Sequence, residues 1–434
     1  MIKATLSVMA ATLLAAAAGP STPTFSKEVL RILQKNCQEC HRPGEIGPMP
    51  LLTYEQVRPW AAAIKDAVAL KKMPPWSADP HYGRFSNDRS LSRRDIDTII
   101  AWANGGAPRG DVKDEPPAVQ FTEGWGIPKP DMILELPQPY QIPATGTIEY
   151  LHFLIPGKFT EDRWVQFAEA RPGDRAHVHH IIAFVREPGS NWLKGIKPGI
   201  PFIPEKSKDE NANVSELPSD FLVGYAPGQP PERFEPGQAK LVKAGSDIII
   251  QMHYTTDGKA AVDRSRIGLV FAKEPPPNRA MTFSATNGKF KIPAGDPNYK
   301  VEAEFTVGTD VILHGLHPHM HARGKDFLYR VQYPDGRVET LLSVPKYSFL
   351  WQLWYNLEKP LPLPKGTKIL CTAHFDNSAN NPYNPDPKKD VVWGDQSWDE
   401  MMVGFFNLVF PAGTPIESIH PAEQAEKKTV ARTN

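Results

Sequence analysis

At 434 residues the chain exceeds what one ordinary hydrophobic core supports, so two or three domains are expected. Lys+Arg and Asp+Glu both total 49, and a formal net charge of zero argues against nucleic acid or an anionic membrane surface as the main partner. Three cysteines exclude a disulfide framework, and 45 prolines, roughly twice the usual ~5% share, point to loops, turns and edge strands rather than long helices.

The opening stretch MIKATLSVMAATLLAAAAGP reads as a secretory signal. Lys3 gives the positive start, an apolar run follows, and Ala16-Ala17-Ala18 offers a small-residue cleavage site. The run is shorter than the ~20 residues a spanning helix needs. Residues 1–18 are therefore expected to be removed on export, leaving a periplasmic or secreted protein without a membrane span. Residues 21–110 have a helical texture. SKEVLRILQKN sets Val29, Leu30, Ile32 and Leu33 along one side, and YEQVRPWAAAIKDAVALKKM is a second periodic stretch. LSRRDIDTIIAWANGGAP is a third, with Ser92 placed to cap it and Gly105-Gly106 to stop it. Residues 111–130, polar and Pro-containing, read as a linker.

CQECH, residues 37–41, fits the C-x-x-C-H pattern of covalent haem attachment. Cys37 and Cys40 supply thiols for two thioethers, and His41 becomes the proximal iron ligand. A zinc site would want a second ligand pair at similar spacing, and the chain has none. For the second axial ligand, Met73 in KKMPPW is a soft thioether in a proline-stiffened loop, and His81 is the competing residue. Met49 is too close to the motif to cross easily to the far haem face. The segment resembles small class I cytochromes c, including its closing Ile-Ile-Ala-Trp helix, which implies a small all-α haem domain.

After about residue 130 the texture changes to short runs rich in β-branched and aromatic residues, such as HVHHIIAFV, DIIIQMHYTT, TKILCTAHF and MMVGFFNLVF. Turn clusters such as TDG, PDG and PKG separate them. Two antiparallel β-sandwich domains are expected, 131–280 and 281–420. Cys371 sits in one such run and reads as a small buried hydrophobe.

Histidine, used sparingly elsewhere, is concentrated in three of these places: His177, His179 and His180 in HVHH, His253 in QMHY, and four residues in HGLHPHMH, 314–321. Imidazole suits copper, zinc, iron or nickel, and a thioether selects copper(I). Alternate residues of a strand share a face, so His319 and His321 can converge on one ion while Met320 points away. His317 shares their parity and His314 does not. His179 and His180, being adjacent, share an ion only where the backbone bends, and His177 is an alternative to one of them.

WVQFAEARPGDRAHVHHIIAF, IIIQMHY, HMHARGK and WDEMM, in this order, resemble the copper type II, ascorbate-dependent monooxygenases, the peptidylglycine α-hydroxylating and dopamine β-monooxygenase family. The resemblance covers roughly residues 131–410. It implies two linked, jelly-roll-like β-sandwiches with one copper each. His179, His180 and His253 look like the ligands of the three-histidine, electron-supplying copper. His319, His321 and Met401 look like those of the oxygen-activating copper, with Met402 packing inward. Tyr254 would pack beside the three-histidine site. The implied activity is hydroxylation of a substrate C–H bond with dioxygen. The fused haem domain suggests that electrons from an external donor enter through it.

The sequence departs from peptide-acting members where they hold a substrate carboxylate. His317, Val403 and Phe405 stand at those positions in place of an arginine and two hydrogen-bonding residues, so a C-terminal glycine is not the expected substrate. A small-molecule or peptide substrate of another kind is implied. The alternative reading is a haem- and copper-containing electron-transfer or copper-handling protein without hydroxylase activity. His374 reads as structural, and His152, His314 and His420 receive no role.

Overall fold

The computed structural model describes residues 22–121, 124–204 and 220–420. The expected signal at 1–18 lies outside them. The first described elements are helical. Thr24 caps a turn, Phe25–Val29, that runs into the helix Leu30–Asn36, burying Phe25, Val29, Leu30 and Leu33. Ser92 caps Arg93–Asn104 by accepting from the Asp95 N–H, as its position before the periodic run requires. The middle stretch is not one helix. It breaks into Tyr54–Val57 and Ala61–Ala69 around a tight turn at Arg58–Trp60, because Pro59 has no N–H to give the ladder. These elements share a small apolar core that includes Leu33, Val57, Ile64, Ile99 and Trp102.

Strands make up most of the remainder, arranged as two face-to-face sandwiches. In the first, Leu151–Ile155, Asp247–Tyr254, Val178–Arg186 and Asp220–Tyr225 lie side by side in that order. They cover a sheet of Met132–Glu135, Arg266–Phe271, Arg163–Arg171 and Gln238–Val242. The second packs Tyr299–Thr306, Lys368–Phe375, Gly324–Gln332 and Val338–Val344 on Asn278–Thr286, Val403–Pro411, Val311–His319 and Tyr355–Leu363. A short parallel pairing, Asn278 with Gln238 and Arg279 with Ala239, joins one sheet of each sandwich into a single nine-stranded sheet, whose ninth strand, Glu232–Arg233, pairs with Arg163–Arg171. Cys371 is buried in the second core.

Strand alternation decides what faces the boundary between the sandwiches. Ile181, Ala183 and Val185, with Ile248, Ile250 and Met252, fill the first core. The opposite face of the same strands carries His180, Phe184 and His253, and there Phe184 and Phe221 pack with Trp354 of the second sandwich. Lys240 is buried at the same boundary. Its ammonium donates to the carbonyls of Phe221 and Leu222 and to Thr282 Oγ1, which in turn bonds Asn407. The cation is thus fully hydrogen-bonded and ties the two sandwiches together.

The helical segment is not a free appendage. Residues 76–88 leave its core and run as a strap over the second sandwich. Asp79 N–H donates to Ser343 O at 2.8 Å, Ser86 N–H to Asn356 O at 2.9 Å, and Phe85 bridges Leu357. Trp76 lies against Tyr355, ring centroids 4.8 Å apart. On the other side Glu45, four residues after the CQECH motif, pairs with Arg175 of the first sandwich at 2.7 Å. No helix among the described residues is long and apolar enough to cross a membrane.

Candidate metal centres

His180 and His253 are register partners on neighbouring strands. The register shifts between Val178 and His180, so His179 is the extra residue of a β-bulge. That bend is what adjacent residues need to aim at one point. The ligand atoms of His179, His180 and His253 all lie within 4.8 Å of one another. Burial pushes His179 down to about 4 and His253 to about 3, and holds His180 well below the usual imidazole range. The rings are therefore neutral at pH 7, the form that binds metal. His180 Nε2 and His253 Nδ1 are buried without a hydrogen-bond partner. Three neutral imidazoles, two of them with an unpartnered buried nitrogen, fit a metal ion. His177 stands outside this nest, with Nδ1 3.1 Å from Asp174 and Nε2 3.1 Å from Asp257.

The second group forms where the strand Val311–His319 ends. His319 and His321 have ring centroids 5.2 Å apart. His319 Nδ1 donates to Gln352 Oε1 at 2.7 Å, and His321 Nδ1 to the Asp399 carbonyl at 3.2 Å. A carbonyl only accepts, so the Nδ1 atoms carry the protons and the Nε2 lone pairs are free. His321 Nε2 is buried with no partner. Burial pushes His319 down to about 4 and His321 well below its usual value. The Glu400 carboxyl, fully buried and pushed up to about 8 by that burial, accepts from the His321 N–H at 2.8 Å and the Arg323 N–H at 2.6 Å. Glu400 thereby pins the turn that carries His321 to the turn that carries Met401. Met320 and Met402 are in the apolar core, whereas Met401 is buried outside it. Two neutral imidazoles with a thioether on the adjoining turn are a donor set for a soft ion.

Sequence reasoning passed over the segment YSFLWQLWY, 347–355, although five aromatic residues in nine positions between two strands are a signal in themselves. It roofs the second group. Besides Gln352, it supplies the Leu353 carbonyl that accepts from His317 Nδ1 at 3.0 Å, and Trp354, which stacks on His317 at 5.0 Å. Tyr347 Oη bonds both the N–H and the carbonyl of Met320. Phe349 touches His179, His253 and His321, with centroids 5.9, 6.1 and 5.9 Å away. The two groups of histidines thus meet the same ring. His317 and Phe405 are register partners, as are His319 and Val403, so all three pocket candidates flank the second group.

The tyrosine beside the first nest is Tyr150, not Tyr254. Strand parity turns Tyr254 into the first core, where its hydroxyl donates to Asp263 at 2.9 Å. His374 pairs with Asp326 at 2.7 Å on the far sheet of the second sandwich, and His420 stacks on Phe305. His152 faces Gln251, and His314 sits at a bulge.

At the CQECH motif, His41 Nδ1 donates to the Met49 carbonyl at 3.1 Å, which leaves Nε2 to bind a metal. Burial pushes the Cys37 thiol up to about 12 and raises Cys40, so neither is a ready thiolate. This orientation of His41 beside two cysteines fits a covalently held haem. Met73 is half-buried but is not among the residues packed on the helical core, where Met49 is. His81 rides the strap, exposed, with Nδ1 2.6 Å from Asp79.

No family model and no curated protein matches the chain. Among solved structures, it is similar to infectious bursal disease virus Gx strain at 9% identity and a TM-score of 0.20, covering 67% of this chain and 74% of that one. The subviral particle of VP2 from the same virus gives 10% identity and a TM-score of 0.19, covering 66% and 73%. Likenesses at these scores carry no argument about fold or function.

Proposed function

We propose that the chain is an exported copper monooxygenase of the copper type II kind, with a c-type haem unit fused upstream. The observation that carries the reading is the pair of buried, neutral histidine groups at one boundary. One is a three-imidazole nest; the other is two oriented imidazoles tied through Glu400 to the turn that carries Met401. His179, His180 and His253 would hold one copper, and His319, His321 and Met401 the other. Bound there, the second ion would activate dioxygen and the first would supply an electron. Cys37, Cys40 and His41 would hold haem, with Met73 as the proposed distal ligand.

The chain's own residues do the positioning. Gln352 and the Asp399 carbonyl fix which nitrogen of each ring faces inward. A thioether at Met401 favours copper(I), the state competent for oxygen. Phe349 and Trp354 pack aromatic rings against the histidines at the boundary. His317, Val403 and Phe405 make the environment beside the second group mostly apolar, which would suit a substrate without a carboxylate anchor.

Metal and haem quantitation with optical and EPR spectra tests this on wild type and Met401→Ala. Two coppers and one haem per chain are expected, with the spectrum of one copper altered in the variant. Less than one copper per chain after reconstitution would overturn the reading. Unchanged spectra and oxygen reactivity in Met401→Ala would remove Met401 from the site.

A further inference from the structure

Tyr150, like Phe349, touches both histidine groups. It precedes the strand Leu151–Ile155 and is 1% exposed, yet it belongs to neither apolar core. Its ring meets His180 edge-on at 5.1 Å, His253 tilted at 4.6 Å and His321 edge-on at 6.1 Å. Its backbone N–H and its hydroxyl both turn to the second sandwich. The backbone N–H donates to Gln396 Oε1 at 2.9 Å, and the hydroxyl accepts from Ser397 Oγ at 3.1 Å. Gln396 and Ser397 lead directly into Asp399, whose carbonyl orients His321, and into Glu400 and Met401. One residue of the first sandwich is therefore fastened to the turn that carries a donor of the second group, with its ring filling the gap between them.

We propose that Tyr150 is a positioning residue that sets the spacing of the two centres, latching the first to the 396–401 turn of the second. The latch needs no metal, but its purpose rests on the two-copper reading. Losing the hydroxyl releases only the Ser397 half. Losing the ring as well leaves a void between the histidines, which lets the 396–401 turn shift.

Two measurements separate the latch from the copper reading. The first is amide hydrogen exchange on the metal-free full chain. Tyr150→Leu is expected to speed exchange of residues 396–401 at least tenfold, and Tyr150→Phe or Ser397→Ala a fewfold, with the core strands of both sandwiches unchanged. Unchanged exchange at 396–401 in Tyr150→Leu overturns the latch. If that variant does not fold, wild-type exchange there in both Tyr150→Phe and Ser397→Ala overturns it instead. The second is magnetic dipolar broadening in the EPR spectrum after loading with copper(II). Wild type is expected to be broadened relative to His253→Ala, and Tyr150→Leu to narrow while still binding two ions. Equal broadening in Tyr150→Leu overturns the role in spacing. A wild type that takes up no copper refutes the copper reading, and the exchange result then decides the latch alone.

Discussion

The two histidine groups are built by different means. The three-histidine nest is a product of sheet geometry: two adjacent strands, a register pair and one bulge bring the rings together. The second group stands at a strand end, where no ladder continues, and hydrogen bonds from other loops do the work instead. Gln352, the Asp399 carbonyl and Glu400 each hold a piece of it. A ligand set fixed by backbone pairing depends less on side chains brought in by other loops. One fixed by side-chain hydrogen bonds is only as rigid as its supporting shell.

That contrast can be broken experimentally. The largest effect is expected for His253→Ala, which removes a donor from the sheet-built nest. Copper stoichiometry should fall by one ion, with an affinity loss at that site beyond about 100-fold, while the second site's spectrum persists. Retention of both ions would dismiss the nest. Gln352→Leu should act only on the loop-built site, where His319 loses its orienting acceptor. A tenfold to 100-fold weaker copper affinity is expected there, with the first site unchanged in a competitive chelator titration. Equal weakening of both would mean that the two sites are not independently supported. The smallest effect on copper belongs to His177→Asn. His177 is buried beside two aspartates outside the nest, so both ions should stay and denaturant stability should fall by about 1–3 kcal/mol.

Much of this was legible in the chain, for identifiable reasons. Ser92 announced its helix because a cap needs an oxygen just before the periodic run. The parity of residues 319–321 separated Met320 from the histidines because side-chain period in a strand is two. The same rule, applied to Tyr254 beside His253, should have sent it to the opposite face, and the structure does so. Pro59 split the second helical stretch, which hydrophobic periodicity alone had joined.

Histidine spacing by itself marked which residues could serve as donors, since imidazole and thioether chemistry is local to a side chain. Which of them converge was decided by tertiary structure. A bulge at His179 is a one-residue shift against a partner strand some seventy positions away, and it leaves no trace in HVHH. Tyr150, Gln352 and Glu400 are ordinary residues in sequence. Their roles come from contacts made at separations of 246, 33 and 79 residues. Such contacts exist only once the chain has folded: those of Gln352 and Glu400 form within the second sandwich, that of Tyr150 forms between the two sandwiches, and burial of the rings there keeps them neutral.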